Sequence, residues 1–133
     1  YPMAYKSRIM RGDSGNLRAN MYIYQVAGAG PSALPIVLDD GIETGKYNRA
    51  NRSLTHFTEN MGAMCLSMAL AAFAFPKATF VCVIIFCIGR ILHQHRYATK
   101  GYGLSGHAPG FILAMLSGVV IEGMLLVTAV KAF

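Results

Sequence analysis

Charge is scarce in this chain. Lys, Arg, Asp and Glu together supply 14% of 133 residues, against roughly 25% in soluble domains. That shortage argues against an ordinary water-facing surface. Cysteine is also rare, with Cys65, Cys82 and Cys87 as the full set. Their spacing matches neither a metal site nor a disulfide framework, so no metal is expected. All three lie in apolar runs and read as small hydrophobes. No internal repeat is visible, and no secretory or transit peptide marks a compartment. The glycines of Gly28-Ala29-Gly30-Pro31 lack the strand–loop–helix setting of a phosphate loop.

What the chain has instead is apolar residues, 54% of the total, with a mean hydropathy of +0.42. They are bunched into three runs, Met61 to Phe75, Ala78 to Leu92 and Phe111 to Val130. A spanning helix needs about 20 mostly apolar residues. The third run meets that length. The first two reach it when Phe57 to Asn60 and His93 to Tyr97 count as helix ends. Buried helices of a small soluble globule would need polar faces, and these runs offer almost none. The fold expected is therefore all-α, an integral membrane helical bundle with helices at about 48–75, 78–97 and 108–131. Pro76-Lys77 is the expected turn between the first two, and Tyr97 to Gly110 a plain connection.

Residues 1–56 differ in character and read as an extramembrane loop segment leading into the first helix, with 57–133 as the membrane domain. Gly12-Asp13-Ser14-Gly15-Asn16, Gly28 to Pro31 and Asp39-Asp40-Gly41 are turn clusters. Leu34 to Leu38 reads as a short strand, within one weak hairpin. Ten basic residues fall on the side carrying this segment and two, Lys77 and Lys131, on the other. The positive-inside rule places the basic side in the cytosol, or in an organelle's matrix or stroma. The net charge of +6 then reflects topology and contact with membrane lipids, with no nucleic-acid partner. Asn51-Arg52-Ser53 matches the glycosylation pattern on the wrong side for that modification, and reads as chance.

Ionisable residues at the ends of these helices form stripes. Arg49, Arg52, His56 and Glu59 are spaced 3, 4 and 3, which puts them on one helical face. Arg90, His93 and Tyr97 are spaced 3 and 4 on the next helix. In an antiparallel pair, Glu59 and Arg90 lie about 10 Å deeper than Arg52 and Tyr97. The deep ends are expected to pair as carboxylate and guanidinium, either at a site or as a structural lock between helices. The shallow Arg, His and Tyr suit an anionic polar ligand, with an apolar co-substrate arriving from lipid. Intramembrane charges commonly mark function. Arg49, His95 and Arg96 read rather as interfacial anchors. Glu122, between Gly118 and Gly123, is either an acid at a helix or subunit interface or a carboxyl kept neutral by burial. The methionines read as packing.

The segment Asn48 to Asn60 resembles the signature opening the second membrane helix of the MAPEG superfamily, the membrane-associated proteins in eicosanoid and glutathione metabolism. That family includes microsomal glutathione transferases and leukotriene C4 synthase. Arg49, Arg52 and Glu59 match, and His56 replaces an Asn. Gly89-Arg90-Ile91-Leu92-His93 through Tyr97 is similar to the third-helix pattern of Arg, Tyr and Tyr, with His93 replacing the first Tyr. Gly45-Lys46-Tyr47 and the upstream loop are also family-like, and the resemblance covers roughly residues 5–133. It implies a homotrimer of four-helix subunits, the first helix preceding Tyr1 with Tyr1 to Met10 as its tail. It implies glutathione as co-substrate, bound between subunits by Arg52, Glu59 and Tyr97, with His56, Asn60 and His93 lining the ligand. Tyr97 and Arg90 are the implied catalytic pair, Arg90 as support, and Lys100 stands in for the basic thiol activator.

The activity implied is glutathione transfer to, or peroxide reduction of, a lipophilic substrate, in the endoplasmic reticulum or an organelle membrane. The alternative is a non-catalytic MAPEG-like subunit of a larger thylakoid or mitochondrial membrane complex. Either way the apolar runs make a prediction. Alkaline carbonate should leave the chain in the membrane pellet and detergent should release it; release by carbonate alone would contradict the membrane assignment.

Overall fold

The computed structural model describes residues 22–26, 36–38 and 40–132. Two short strands, β1 at Tyr24–Val26 and β2 at Ile36–Leu38, pair antiparallel with Tyr24 opposite Leu38. Three helices follow: α1 at Ile42–Ala74, α2 at Pro76–Lys100 and α3 at Ala108–Ala132. The expected hairpin is present. The turn cluster at 12–16 and the expected tail at 1–10 lie outside the described residues.

The first helix starts earlier than expected, at Ile42 rather than about 48. The turn at Asp40-Gly41 ends there, and no proline follows to block helix. Glu43 sits in the first turn, where the helix dipole favours a carboxylate, and it pairs with Lys46 at 3.3 Å. Apolar periodicity hid this start because the buried face here is largely polar: Asn48, Asn51 and Ser53 are all buried, beside Tyr47 and Ala50. Asn51 lies in the helix with no exposure, consistent with a chance glycosylation match.

The α1–α2 turn is shorter than expected. Phe75 alone breaks the helix, at φ −133° and ψ 61°, and Pro76 already belongs to α2. A proline disfavours helical geometry in the residue before it, yet suits the first helical position, where no N–H is needed. At the other end α2 runs on to Lys100. Gly101 then takes φ +79°, a conformation costly for other residues, and donates its N–H to the Tyr97 carbonyl at 3.0 Å. The connection to α3 is thus only Gly101 to His107.

Two helices, α2 and α3, are long and apolar enough to cross a membrane, where three were expected. In α1, Glu59 and Asn60 head an apolar stretch that covers only its second half. The apolar surface points outward. Only 17% and 28% of the most apolar stretches of α2 and α3 are buried, too little for core helices of a soluble domain. Phe73, at 90% exposure, Phe80 and Ile91 face out with them. Helices satisfy their own backbone polar groups, so such a surface suits lipid.

Contact among the helices is richest between α2 and α3, and sparse between α1 and α3. Glycines permit the close pair. A Cβ on Gly89 would come within 2.6 Å of the Ala114 nitrogen, and one on Gly110 would collide with the backbone nitrogen of His93. Small residues let membrane helices approach in this way. Gly118 faces only the Met64 Cε, and Gly123 has nothing within 4 Å. Gly110→Ala should therefore cost about 1–3 kcal/mol by overpacking, while Gly123→Ala should be neutral or slightly stabilising. Thermal unfolding in detergent separates the two; equal losses would contradict this account of the contact.

Candidate functional site

The site forms where the hairpin, the first half of α1 and the last turns of α2 meet. Asn48 ties the hairpin down. Its Nδ2 donates to the Ile23 carbonyl at 2.8 Å and its Oδ1 accepts from the Ile23 N–H at 3.0 Å. The side chain thus stands in for a neighbouring strand. One turn pair further on, the Tyr22 hydroxyl meets Thr55 Oγ1 at 3.1 Å.

Arg49 closes the same corner. Its Nη1 pairs with Asp40 at 2.6 Å and its Nε donates to the Ala98 carbonyl at 3.4 Å. It braces the hairpin end, α1 and α2, which corrects the expectation of a lipid-facing anchor. Arg96 is corrected likewise, since its Nη2 donates to the Ser105 carbonyl at 2.9 Å and holds the α2–α3 connection. His95 is exposed on the outer side of α2.

Beneath this brace lies a cleft of about 530 Å³, whose walls include Arg49, Arg52, Lys100, Tyr97, Tyr102 and Asp40. Three cations face one carboxylate, so the cleft favours anions. Tyr97 is 6% exposed and donates its hydroxyl to the Tyr102 hydroxyl at 2.8 Å. A chain of such hydroxyls at a cationic wall can hand a hydrogen bond to a ligand atom.

Behind Tyr97 the rings continue inward. His93 stacks on Tyr97 with centroids 5.8 Å apart and planes 17° apart. His107 meets His93 edge-on at 5.6 Å, and Phe111 lies 5.9 Å from His93. His56 completes the cluster, 6.4 Å from both His93 and Phe111. The Nδ1 atoms of His56, His93 and His107 are buried without a hydrogen-bond partner. These imidazoles do not make a metal site: among the described residues no group of three or more His, Cys, Asp or Glu side chains could hold a metal ion.

A second cavity, of about 320 Å³, lies on the far side of the cluster. Its polar wall is His56, Asn60, Arg90 and Glu122, and the rest is apolar, including Met61, Met64 and Phe86. Asn60 donates to the His56 carbonyl at 2.8 Å. The Arg90 guanidinium sits over the Phe57 ring, 5.0 Å from its centroid, a cation–π contact. Glu122 is exposed at the cavity wall.

The expected stripe therefore divides. Arg52 and Tyr97 meet at the cleft; His56, Asn60 and Arg90 meet at the inner cavity; His93 stands between. Glu59 joins neither, and the expected Glu59–Arg90 pair is not formed among the described residues. The reason is angular. At 100° per residue, Glu59 lies about 160° around α1 from Phe57, the residue that faces Arg90. It shares an exposed face with Arg52 instead. Sequence reasoning missed Asn48, Tyr102 and His107. Asn48 looked like one more helix residue, and the other two sat in a glycine-rich connection whose only signal was an aromatic and an imidazole among turn residues.

Outward-facing apolar helices and a cationic cleft at one helix end define the class: an integral membrane helical protein. Residues 15–127 match the MAPEG family, and the chain belongs to that family. No curated protein and no solved structure matches the chain.

The hairpin anchor is testable. Asn48→Ala removes both hydrogen bonds to Ile23 and should loosen the hairpin by about 1–3 kcal/mol. Amide exchange at Ile23 should rise by one to two orders of magnitude, roughly as that loss dictates, with helix amides in α3 unchanged. Unaltered exchange at Ile23 would mean the anchor lies elsewhere.

Proposed function

We propose that this chain is a membrane-bound glutathione transferase or peroxidase-like protein, conjugating or reducing lipophilic substrates with glutathione. The observation that carries the reading is the meeting of Arg52 and Tyr97 on one cationic wall, at positions the family resemblance assigns to glutathione contact. Glutathione carries two carboxylates, which suit Arg52 with Arg49 and Lys100 beside it. Tyr97 turns its hydroxyl from Tyr102 to the sulfur and, with the nearby cations, favours the thiolate over the thiol. His56, Asn60 and Arg90 line the inner cavity, and His93 stands between it and Tyr97. That cavity is mostly apolar and suits the lipophilic partner.

In transfer, the thiolate attacks an electrophilic carbon, the S–C bond forms and the leaving group departs with its electron pair. With a hydroperoxide, attack on oxygen breaks the O–O bond and yields the alcohol and a sulfenic acid. A second glutathione then converts the sulfenic acid to disulfide and water. Arg52 and Glu59 share the exposed face of α1. A neighbouring copy covering that face, as in a homotrimer, places both against a ligand held between subunits. The α1 apolar half is the third span in this reading, and the basic end faces cytosol, matrix or stroma at the endoplasmic reticulum or an organelle. No observation here favours the non-catalytic subunit of a larger complex.

Calorimetry on detergent-purified protein tests the reading. Glutathione should bind in the micromolar-to-millimolar range. Arg52→Ala should weaken it by about 10-fold or more, the scale of a lost charge-assisted hydrogen bond. A folded oligomer that binds no glutathione would remove the enzyme reading and put the structural-subunit alternative in front.

A further inference from the structure

We propose that Asp40 is a tethered counterion of the cationic cleft: a carboxylate of the chain itself that occupies Arg49 and that an incoming anionic ligand displaces. The proposal rests on the reading of the cleft as an anion site. Asp40 is the one carboxylate among the described residues lining that cleft, and it holds Arg49 at 2.6 Å. Arg52 and Lys100, on the same walls, have no carboxylate partner among the described residues. The chain thus neutralises one of its three cleft cations from within.

The two partners are unequally held. The Arg49 side chain is 21% exposed and is fixed on its far side by the Ala98 carbonyl. Asp40 is 81% exposed and lies between β2 and the start of α1. When the pair opens, Arg49 stays and the carboxylate swings into water. An exposed ion pair of this kind is weak, so the carboxylate can be displaced by a ligand offering more than one anionic oxygen. Gly45 sets how near Asp40 comes to the helix, since a Cβ there would lie 2.8 Å from Asp40 Oδ1 and 2.9 Å from its backbone carbonyl.

Displacement has a structural consequence. β2 ends at Leu38, two residues before Asp40, whereas the β1 side is held independently by Asn48 and Thr55. Anion entry therefore loosens β2 from α1 and leaves the Ile23 anchor in place.

The test titrates the full chain in detergent with two probes, glutathione and inorganic pyrophosphate, comparing wild type, Asp40→Asn and Glu43→Gln. Glu43 lies outside the cleft walls and controls for net charge. Asp40→Asn should tighten pyrophosphate binding about two- to fivefold, the scale of an exposed ion pair, and Glu43→Gln should not. In wild type, pyrophosphate should speed amide exchange at Ile36–Leu38 while Ile23 stays protected. That second readout stands even where Asp40→Asn fails to fold. Unchanged or weaker pyrophosphate binding by folded Asp40→Asn, or no change in β2 exchange, overturns the proposal. Weaker glutathione binding by Asp40→Asn also overturns it and makes Asp40 a receptor for the ligand's ammonium group. If no variant binds glutathione while pyrophosphate behaves as expected, the counterion stands and the glutathione reading falls.

Discussion

The backbone contact between α2 and α3 at Gly89 and Gly110 determines where the rings of the site lie. Lipid tails are as apolar as leucine side chains, so membrane helices gain little from hiding apolar groups from one another. They gain from close packing instead. With no side chain at either glycine, the His93 backbone lies against α3. Its imidazole is then carried into reach of His107 and Phe111. Tyr97, four residues on, stacks on the same ring by helical spacing alone. Side chains at those glycines would push the helices apart and open the cluster.

The helix α1 lives in two media. Its first half buries polar residues, Asn48, Asn51 and Ser53, and its second half exposes apolar ones such as Leu66, Leu70 and Phe73. Either half alone would look inside out for a soluble protein. Together they mark a passage from water-facing packing to lipid-facing surface near Glu59 and Asn60. A carboxylate costs little at headgroup depth or against another protein surface, and much against acyl chains. The exposure of Glu59 at this boundary is therefore compatible with a membrane.

Much of the fold was legible because it rests on run length and on proline and glycine. The three helices, the hairpin and the break beside Pro76 all follow from those signals. Boundaries shifted where another principle governed: α1 starts at Ile42 because a buried polar face carries no hydrophobic period. For the site, spacing identified residues on common helices but treated a stripe as one surface. Glu59 and His56 are only three residues apart, yet the 60° between them separates an outward face from an inner cavity. The partners of Asn48 and Arg49 were illegible because Ile23, Asp40 and Ala98 are distant in sequence or are met at backbone atoms.

The ring cluster divides the molecule into two solvents. On one side the cleft presents guanidinium, ammonium and phenol groups; on the other the inner cavity presents mostly carbon, with His56, Asn60, Arg90 and Glu122 at its edge. A reaction between a polar anion and a lipophilic molecule faces a solubility problem, since neither reactant is stable where the other resides. A thin wall of amphipathic rings would meet it. Tyr97 and His93 each offer an apolar face and a polar edge, and they stack with centroids 5.8 Å apart. The reacting atoms of such a pair would have to meet at that wall rather than deep in either space. Imidazole in place of phenol at His93 then changes the hydrogen-bonding repertoire of the wall, since imidazole carries its polar atoms on two separate ring nitrogens where a phenol has one oxygen.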